Sequence, residues 1–422
     1  MKTILRRFGP LLAVVGPMML AFVLVGIASL VPAQRPRPVQ VVPTQPLRSL
    51  SCAFGGAPGS LITTAPDSVT TDLTGAVVDN PSTNGSIRGS VLVDQRAVGV
   101  LAAGVRAQSS AGLSWSECAP ATTGGAVIVP DPATAEVLLV NPDSPDAGVN
   151  MSLSGPSGEI QSPGLRGVVV PGRSMVRVPL NVHAPAGSPV TLSYEASQGR
   201  VQVATRTTSG APEQAVTTSA KLVSVFASTP AGASQTRLLL HNPSDQRVEA
   251  RVEMLGVRGR FAPPNGEVSL QPNTTVALDL TQTVQGTAMG VVVTGSDELV
   301  AMVAAVVGPD IAWVLPQQPA HELTDATPAG TLQLVNPSAQ DVTASVTMHT
   351  LGGTGGGAFT VQIPAGASVE RSIVAGEVNI NATGEVAAAV RLTGSGAAVS
   401  RVRPQVQDVA PAPGTLDPQL GQ

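Results

Sequence analysis

Beyond residue 50 the chain is written in short apolar runs, many alternating with polar residues and bounded by Gly, Pro, Asn or Asp. Alternation with period two marks a half-buried strand; a short unbroken apolar run between turn signals fits a buried one. The clearest such run recurs. Val137-Leu-Leu-Val140 leads into Asn141-Pro142, Leu238-Leu-Leu-His241 into Asn242-Pro243, and Leu332-Gln-Leu-Val335 into Asn336-Pro337, at intervals of 101 and 94 residues. That interval is the size of one immunoglobulin-like sandwich, ~100 residues. Proline removes a ladder donor and stops the strand, and Asn before it favours a turn.

Each unit continues alike. An alternating strand follows, Val248 to Met254 or Val342 to Met348, then a glycine turn at Gly155 and Gly158, Gly256 and Gly259, or Gly352 and Gly353. Next comes a predicted hairpin, Val168 to Leu180, Val268 to Leu280 or Val361 to Ile373, with Pro-Gly, Pro-Asn or Pro-Ala-Gly at its centre. A longer hairpin closes the unit, turning at Gln198–Arg200, Gly295–Glu298 or Gly384-Glu385. A shortened fourth copy is predicted before these three, with Gly75 to Asp79 entering Asn80-Pro81 and a closing hairpin in Val91 to Val105. Trp115 and Trp313 fall at the same point after their closing hairpins, and packing is the expected role of both. The fold class is therefore all-β: tandem immunoglobulin-like sandwich repeats, three full and one shortened, rather than βαβ units.

The amino terminus differs. Lys2, Arg6 and Arg7 precede an uncharged run from Phe8 to Ala33, long enough to cross a ~30 Å hydrocarbon layer as a helix. A cleaved signal peptide is the alternative, but the run exceeds the ~7–15 residues of a signal core, and Val31-Pro32-Ala33 is a poor cleavage site. Either way the rest is exported. The expected organisation is a cytoplasmic stub and transmembrane anchor at 1–34 and a Pro-rich stalk at 35–50. A shortened β module follows at 51–120, then repeats at 121–215, 216–320 and 321–407, and a disordered tail at 408–422. The expected location is a single-pass cell-membrane protein with an extracytoplasmic ectodomain.

Composition narrows the chemistry. Charged residues are 12% of the 422 and the net charge is −4, which leaves no basic footprint for nucleic acid. Aromatics are 2%, so cores must come from Val, Ala and Leu, and a strong sugar-stacking platform is not expected. The two cysteines, Cys52 and Cys118, form an even pair in an exported chain, which favours a disulfide over two buried free thiols. The four histidines stand apart with no metal-binding spacing, and no nucleophile elbow or phosphate loop is present. His241 and His349 are expected at a surface or strand edge. Acidic pairs at Asp143 with Asp146, Asp297 with Glu298, and Glu322 with Asp325 are expected in solvated loops. No catalytic residue, cofactor or metal ligand is expected.

The anchor, Trp115-Ser-Glu-Cys118-Ala-Pro120, Leu138-Leu-Val-Asn-Pro142, Val168-Val-Val-Pro-Gly172 and Gly199-Arg-Val201 together resemble an uncharacterised actinobacterial family of membrane-anchored proteins with a domain of unknown function. The resemblance covers most of Cys52 to Pro404. It implies a tandem β ectodomain encoded near cell-wall glycosyltransferases, hence envelope polysaccharide biology, and it transfers no catalytic residue. The resulting expectation is a non-catalytic scaffold or interaction protein, with the sandwiches stacked as a semi-rigid rod and an envelope protein or polysaccharide as partner. The alternative is a carbohydrate-binding accessory module for an envelope glycosyltransferase.

Overall fold

The computed structural model describes residues 48–404, apart from 56–57, 65–67, 79–85, 96–99, 111, 209–212, 351–354 and 395. All belong to one unit, 45–410. The predicted anchor, most of the stalk, the tail, Asn80-Pro81 and Gly352-Gly353 lie outside the described residues. Among the described residues no helix is long and apolar enough to cross a membrane.

The chain is all-β and every strand pairing is antiparallel. In repeat 2 a leading sheet sets Gly259–Phe261 and Glu267–Leu270 on Val248–Gly256, followed by the first half of Gly290–Val307 and then Lys221–Phe226. A trailing sheet runs Thr275–Asp279, Gln235–His241, the second half of Gly290–Val307, and Asp310–Val314. Repeat 3 repeats this order, with Gly376–Leu392 as the strand shared by both sheets. In repeat 1 the shared strand is broken into Val190–Gln198 and Gln202–Thr207. An immunoglobulin sandwich keeps each strand within one sheet; here one strand serves both, so the connectivity is not immunoglobulin-like.

The predicted closing hairpins are therefore continuous or briefly interrupted strands. Gly295–Glu298 is the polar, exposed stretch where the strand leaves one sheet for the other. The predicted central hairpins also differ. Val168–Val170 pairs with Ala147–Gly155 in the leading sheet, whereas Ser174–Pro179 pairs with Ala135–Asn141 in the trailing one. The Pro-Gly turn thus arches from sheet to sheet.

The short module has the same order without the outer leading strands. Ser49–Cys52, Val91–Asp94 and Val69–Asp72 form its leading sheet; Ser86–Ile87, Gly59–Thr63, Ala103–Ser109 and Gly112–Glu117 form its trailing sheet. The strand equivalent to the Asn-Pro strands is Gly59–Thr63, not Gly75 to Asp79. Residues 73–75 instead turn around Asp72, whose Oδ1 accepts from the Thr74 and Ala76 amides at 2.8 and 3.0 Å. Cys52 and Cys118 are joined by a disulfide that ties the module's first strand to the end of its last.

The Asn of the Asn-Pro motif in each of the three full repeats is a buried clamp. Nδ2 of Asn242 donates to the Gln246 and Gln271 carbonyls at 2.6 and 3.1 Å, while its Oδ1 accepts from Ser244 N at 2.9 Å. Asn141 and Asn336 make the same bonds to Pro145 and Val170, and to Gln340 and Ile363. One amide closes the turn and pins the trailing strand to the arch from the leading sheet.

The modules close into a ring rather than extending as a rod. Val137 to Val140 and Leu238 to Leu240 are fully buried because the trailing sheet packs on both faces. In repeat 2, Leu238 and Leu240 fill its own core, while Leu239, Val300 and Met302 pack into repeat 1. Val335, Ala387 and Ala389 of repeat 3 join the repeat 2 core in the same way. Ile62, Leu113 and Trp115 of the short module pack on Ala326, Leu392 and Ala398 of repeat 3, which completes the circle. The last strands of the four modules (112–117, 214–216, 310–314 and 399–402) meet around the axis.

Candidate functional site

The polar chemistry of the described chain concentrates where those four strands meet. At the centre, Trp115, Trp313, Gln214 and Val216 leave about 10 Å³, room for about one water. The indoles are 4% and 5% exposed, so neither offers a sugar-stacking face.

Three carboxylates hold the modules together around this plug. Asp310 of repeat 2 accepts from Leu113 N of the short module at 3.0 Å and from Ala397 N of repeat 3 at 2.8 Å. Glu117 of the short module takes a two-point bond from Arg401 of repeat 3, with Nε at 2.9 and 2.8 Å from its two oxygens and Nη2 at 2.7 Å. Glu213 of repeat 1 accepts from Trp313 N of repeat 2 at 3.0 Å. Burial holds the Glu213 carboxyl well above the usual carboxylate range, and its Oε2 has no hydrogen-bond partner among the described residues.

Asp325 and Arg403 complete the junction. Arg403 Nε and Nη2 bind the Asp325 oxygens at 2.8 and 3.0 Å, and Nη1 donates to the Cys118 carbonyl at 3.0 Å across the ring closure. Burial pushes the Asp325 carboxyl up, against the pull of this guanidinium.

Beside this junction opens a mouth of about 350 Å³, lined by Arg48, Lys221, Gln317, Arg401, Arg403 and Pro404 among others. Its walls are tied where the first strand of a module meets the end of its last: Ala126 with Thr218, Val225 with Gln317, and Leu323 with Pro404. A second cavity of about 310 Å³ lies between repeats 1 and 2, bordered by Asp131, Arg237 and Trp313. There the Asp131 carboxylate is engaged by the Ala133 and Gly187 amides at 3.1 and 3.4 Å.

The acidic residues singled out from sequence are not brought together. Asp143 is held by Arg200 at 2.8 and 3.0 Å, which keeps its carboxyl below the usual range. Asp146 accepts from Gly172 N at 3.0 Å, and Asp297 caps the adjacent Glu298 amide. Glu322 and Asp325 lie on the strand Ala320–Thr327, not in a loop: Glu322 is in its exposed first part, and Asp325 in the stretch from Leu323 to Thr327 that is buried on both faces. His241 is not at an edge. It is 2% exposed, its Nδ1 3.2 Å from Thr274 O, and burial lowers its pKa to about 4. His349 is exposed. Among the described residues no group of His, Cys, Asp or Glu could hold a metal ion.

Sequence reasoning missed Glu117, Glu213, Asp310, Arg401 and Arg403. The available signal was weak: isolated charges inside otherwise apolar strands, as in Val399-Ser-Arg-Val-Arg403.

Residues 89–374 match the sequence model of a family of unknown function, DUF5719. No curated protein matches the chain. Among solved structures, the Streptomyces avermitilis alpha-L-rhamnosidase complexed with L-rhamnose aligns with 80% of this chain at 10% identity and a TM-score of 0.13. The alignment covers 54% of that enzyme's length, so the chain spans about half of it, and at that score the likeness carries no argument.

Proposed function

We propose that this chain, which belongs to the family of unknown function DUF5719, is a non-catalytic binding protein. It is anchored by its N-terminal apolar segment and displays the ring outside the membrane, where it engages a partner of the cell envelope. The observation that carries this reading is how the strongly perturbed ionisable groups are used. Glu213 and Asp325 are buried at the ring junctions, bonded to Trp313 N and to Arg403, and among the described residues no acid–base pair converges on either larger cavity. Hydrolytic chemistry needs such a pair at a substrate-sized opening. The uncharged run Phe8 to Ala33 and the disulfide support the extracytoplasmic address. The buried indoles weigh against a neutral-sugar module built on stacking.

The test is cell-surface crosslinking of a tagged full-length chain, followed by mass spectrometry. Recovery of a specific envelope protein, lost when 1–34 is exchanged for a cleaved leader, is the expected result. An empty capture at high crosslinking yield overturns the reading.

A further inference from the structure

We propose that the mouth beside the ring axis is a binding site for a small anionic ligand, one oxyanion group on a hydroxylated, monosaccharide-sized body. This rests on reading the chain as a binding protein and names the chemistry of what it binds.

Four cations from three modules converge there: Arg48 of the short module, Lys221 at the start of repeat 2, and Arg401 and Arg403 of repeat 3. Such convergence stands out in a chain with 12% charged residues and lysine at only two positions, Lys2 and Lys221. Glu117 and Asp325 neutralise Arg401 and Arg403. Arg48 and Lys221 have no ion-pair partner among the described residues, so the mouth carries uncompensated positive charge. Like charges drawn together without a counter-ion repel, and an anion bound between them removes that cost.

The site is preformed. Arg401 and Arg403 are fixed by two-point bonds to their carboxylates, and the backbone pairings at Thr218, Gln317 and Pro404 hold the walls. Fixed donors bind without the entropy of ordering long side chains. The volume, about 350 Å³, falls at the small end of the ligand-site range. Exposed Ser219 and Gln318 supply hydroxyl and amide groups for a polyol body, and no aromatic ring lines the opening. A cationic lining rejects metal ions, and the lack of an aromatic face rejects a neutral sugar held by stacking.

The experiment is calorimetric titration of the purified full-length chain in detergent with glucose 1-phosphate, glucuronate, inorganic phosphate and glucose. Saturable binding of one or more of the three anions, weakening with added salt, with glucose silent, is the expected result. The anion that binds best distinguishes a phosphate from a carboxylate ligand. The Arg48→Gln/Lys221→Gln variant should bind roughly 10- to 100-fold more weakly. Its unliganded melting temperature should equal or exceed the wild type's, because neither side chain makes an ion pair among the described residues and the change removes their mutual repulsion. No binding by any of the three anions, or equal binding by the variant, overturns the proposal. Either outcome leaves partner capture on cells to stand or fall separately.

Discussion

The Asp310 carboxylate of repeat 2 accepts a hydrogen bond from the Leu113 amide of the short module, 197 residues away in sequence, at 3.0 Å. The same Oδ2 accepts from Ala397 N of repeat 3, so one side chain joins three modules at the axis. Two glycines make room for it. A Cβ on Gly112 or on Gly396 would sit 2.3 Å from the Asp310 carboxyl, and both have positive φ, 154° and 142°. Asp310 Oδ1 accepts from Ile311 N at 2.9 Å, so both oxygens of this buried carboxylate are hydrogen-bonded.

The Asn clamp makes the first prediction. Asn242→Ala leaves the Ser244 amide and the Gln246 and Gln271 carbonyls without their partner. Each of these part-buried bonds is worth ~0.5–1.5 kcal/mol, so the loss in denaturant unfolding should reach about 3 kcal/mol. Asn242→Asp keeps the acceptor for Ser244 N but turns a carboxylate onto two carbonyls, and should be at least as damaging. A wild-type midpoint for the Ala variant would refute the clamp.

The repeat and its all-β class were legible because both are local. Alternation, Asn-Pro and glycine turns recur in the same order, and the Asn amide bonds mostly within its own turn and the next arch. Strand partners were not legible. Val168 to Leu180 has the alternation and turn chemistry of a hairpin, yet its two strands enter different sheets, because a turn fixes a reversal and not which neighbour each strand finds. The ring was hidden for a related reason. The unbroken run Leu238-Leu-Leu240 signals burial on both faces, but nothing local says that Leu239 is covered by repeat 1. Arg401 and Arg403 carry no motif, and nothing local says that the short module packs against them.

Reduction of Cys52–Cys118 should destabilise the short module first. The bridge closes 66 residues of chain, worth about 4 kcal/mol of unfolded-state entropy in the loop-closure model. Hydrogen exchange with and without reductant should show lost protection in Val91–Asp94 and Ala103–Ser109, while Gln235–His241 keeps most of its own. Uniform loss across the ring would contradict this local assignment.

His241 predicts a pH dependence. Burial lowers its pKa to about 4 in the fold, against 6.5 when unfolded. Between those values the unfolded chain binds a proton that the folded chain refuses, so acid favours unfolding. Stability from this residue is complete above pH 6.5 and falls by about 3 kcal/mol as pH drops toward 4. His241→Gln should flatten the slope in that window even if it lowers stability at neutral pH. A slope unchanged in the variant would assign the effect elsewhere.

The anion site exists only if the ring closes, and Glu117 with Arg401 measures the closure. A double-mutant cycle with Glu117→Gln, Arg401→Gln and the pair, read by denaturant unfolding, isolates their coupling. A closed ring predicts a coupling of ~0.5–3 kcal/mol, with each single change costing more than its share of the double. Strictly additive effects would place the short module away from repeat 3 and contradict the account.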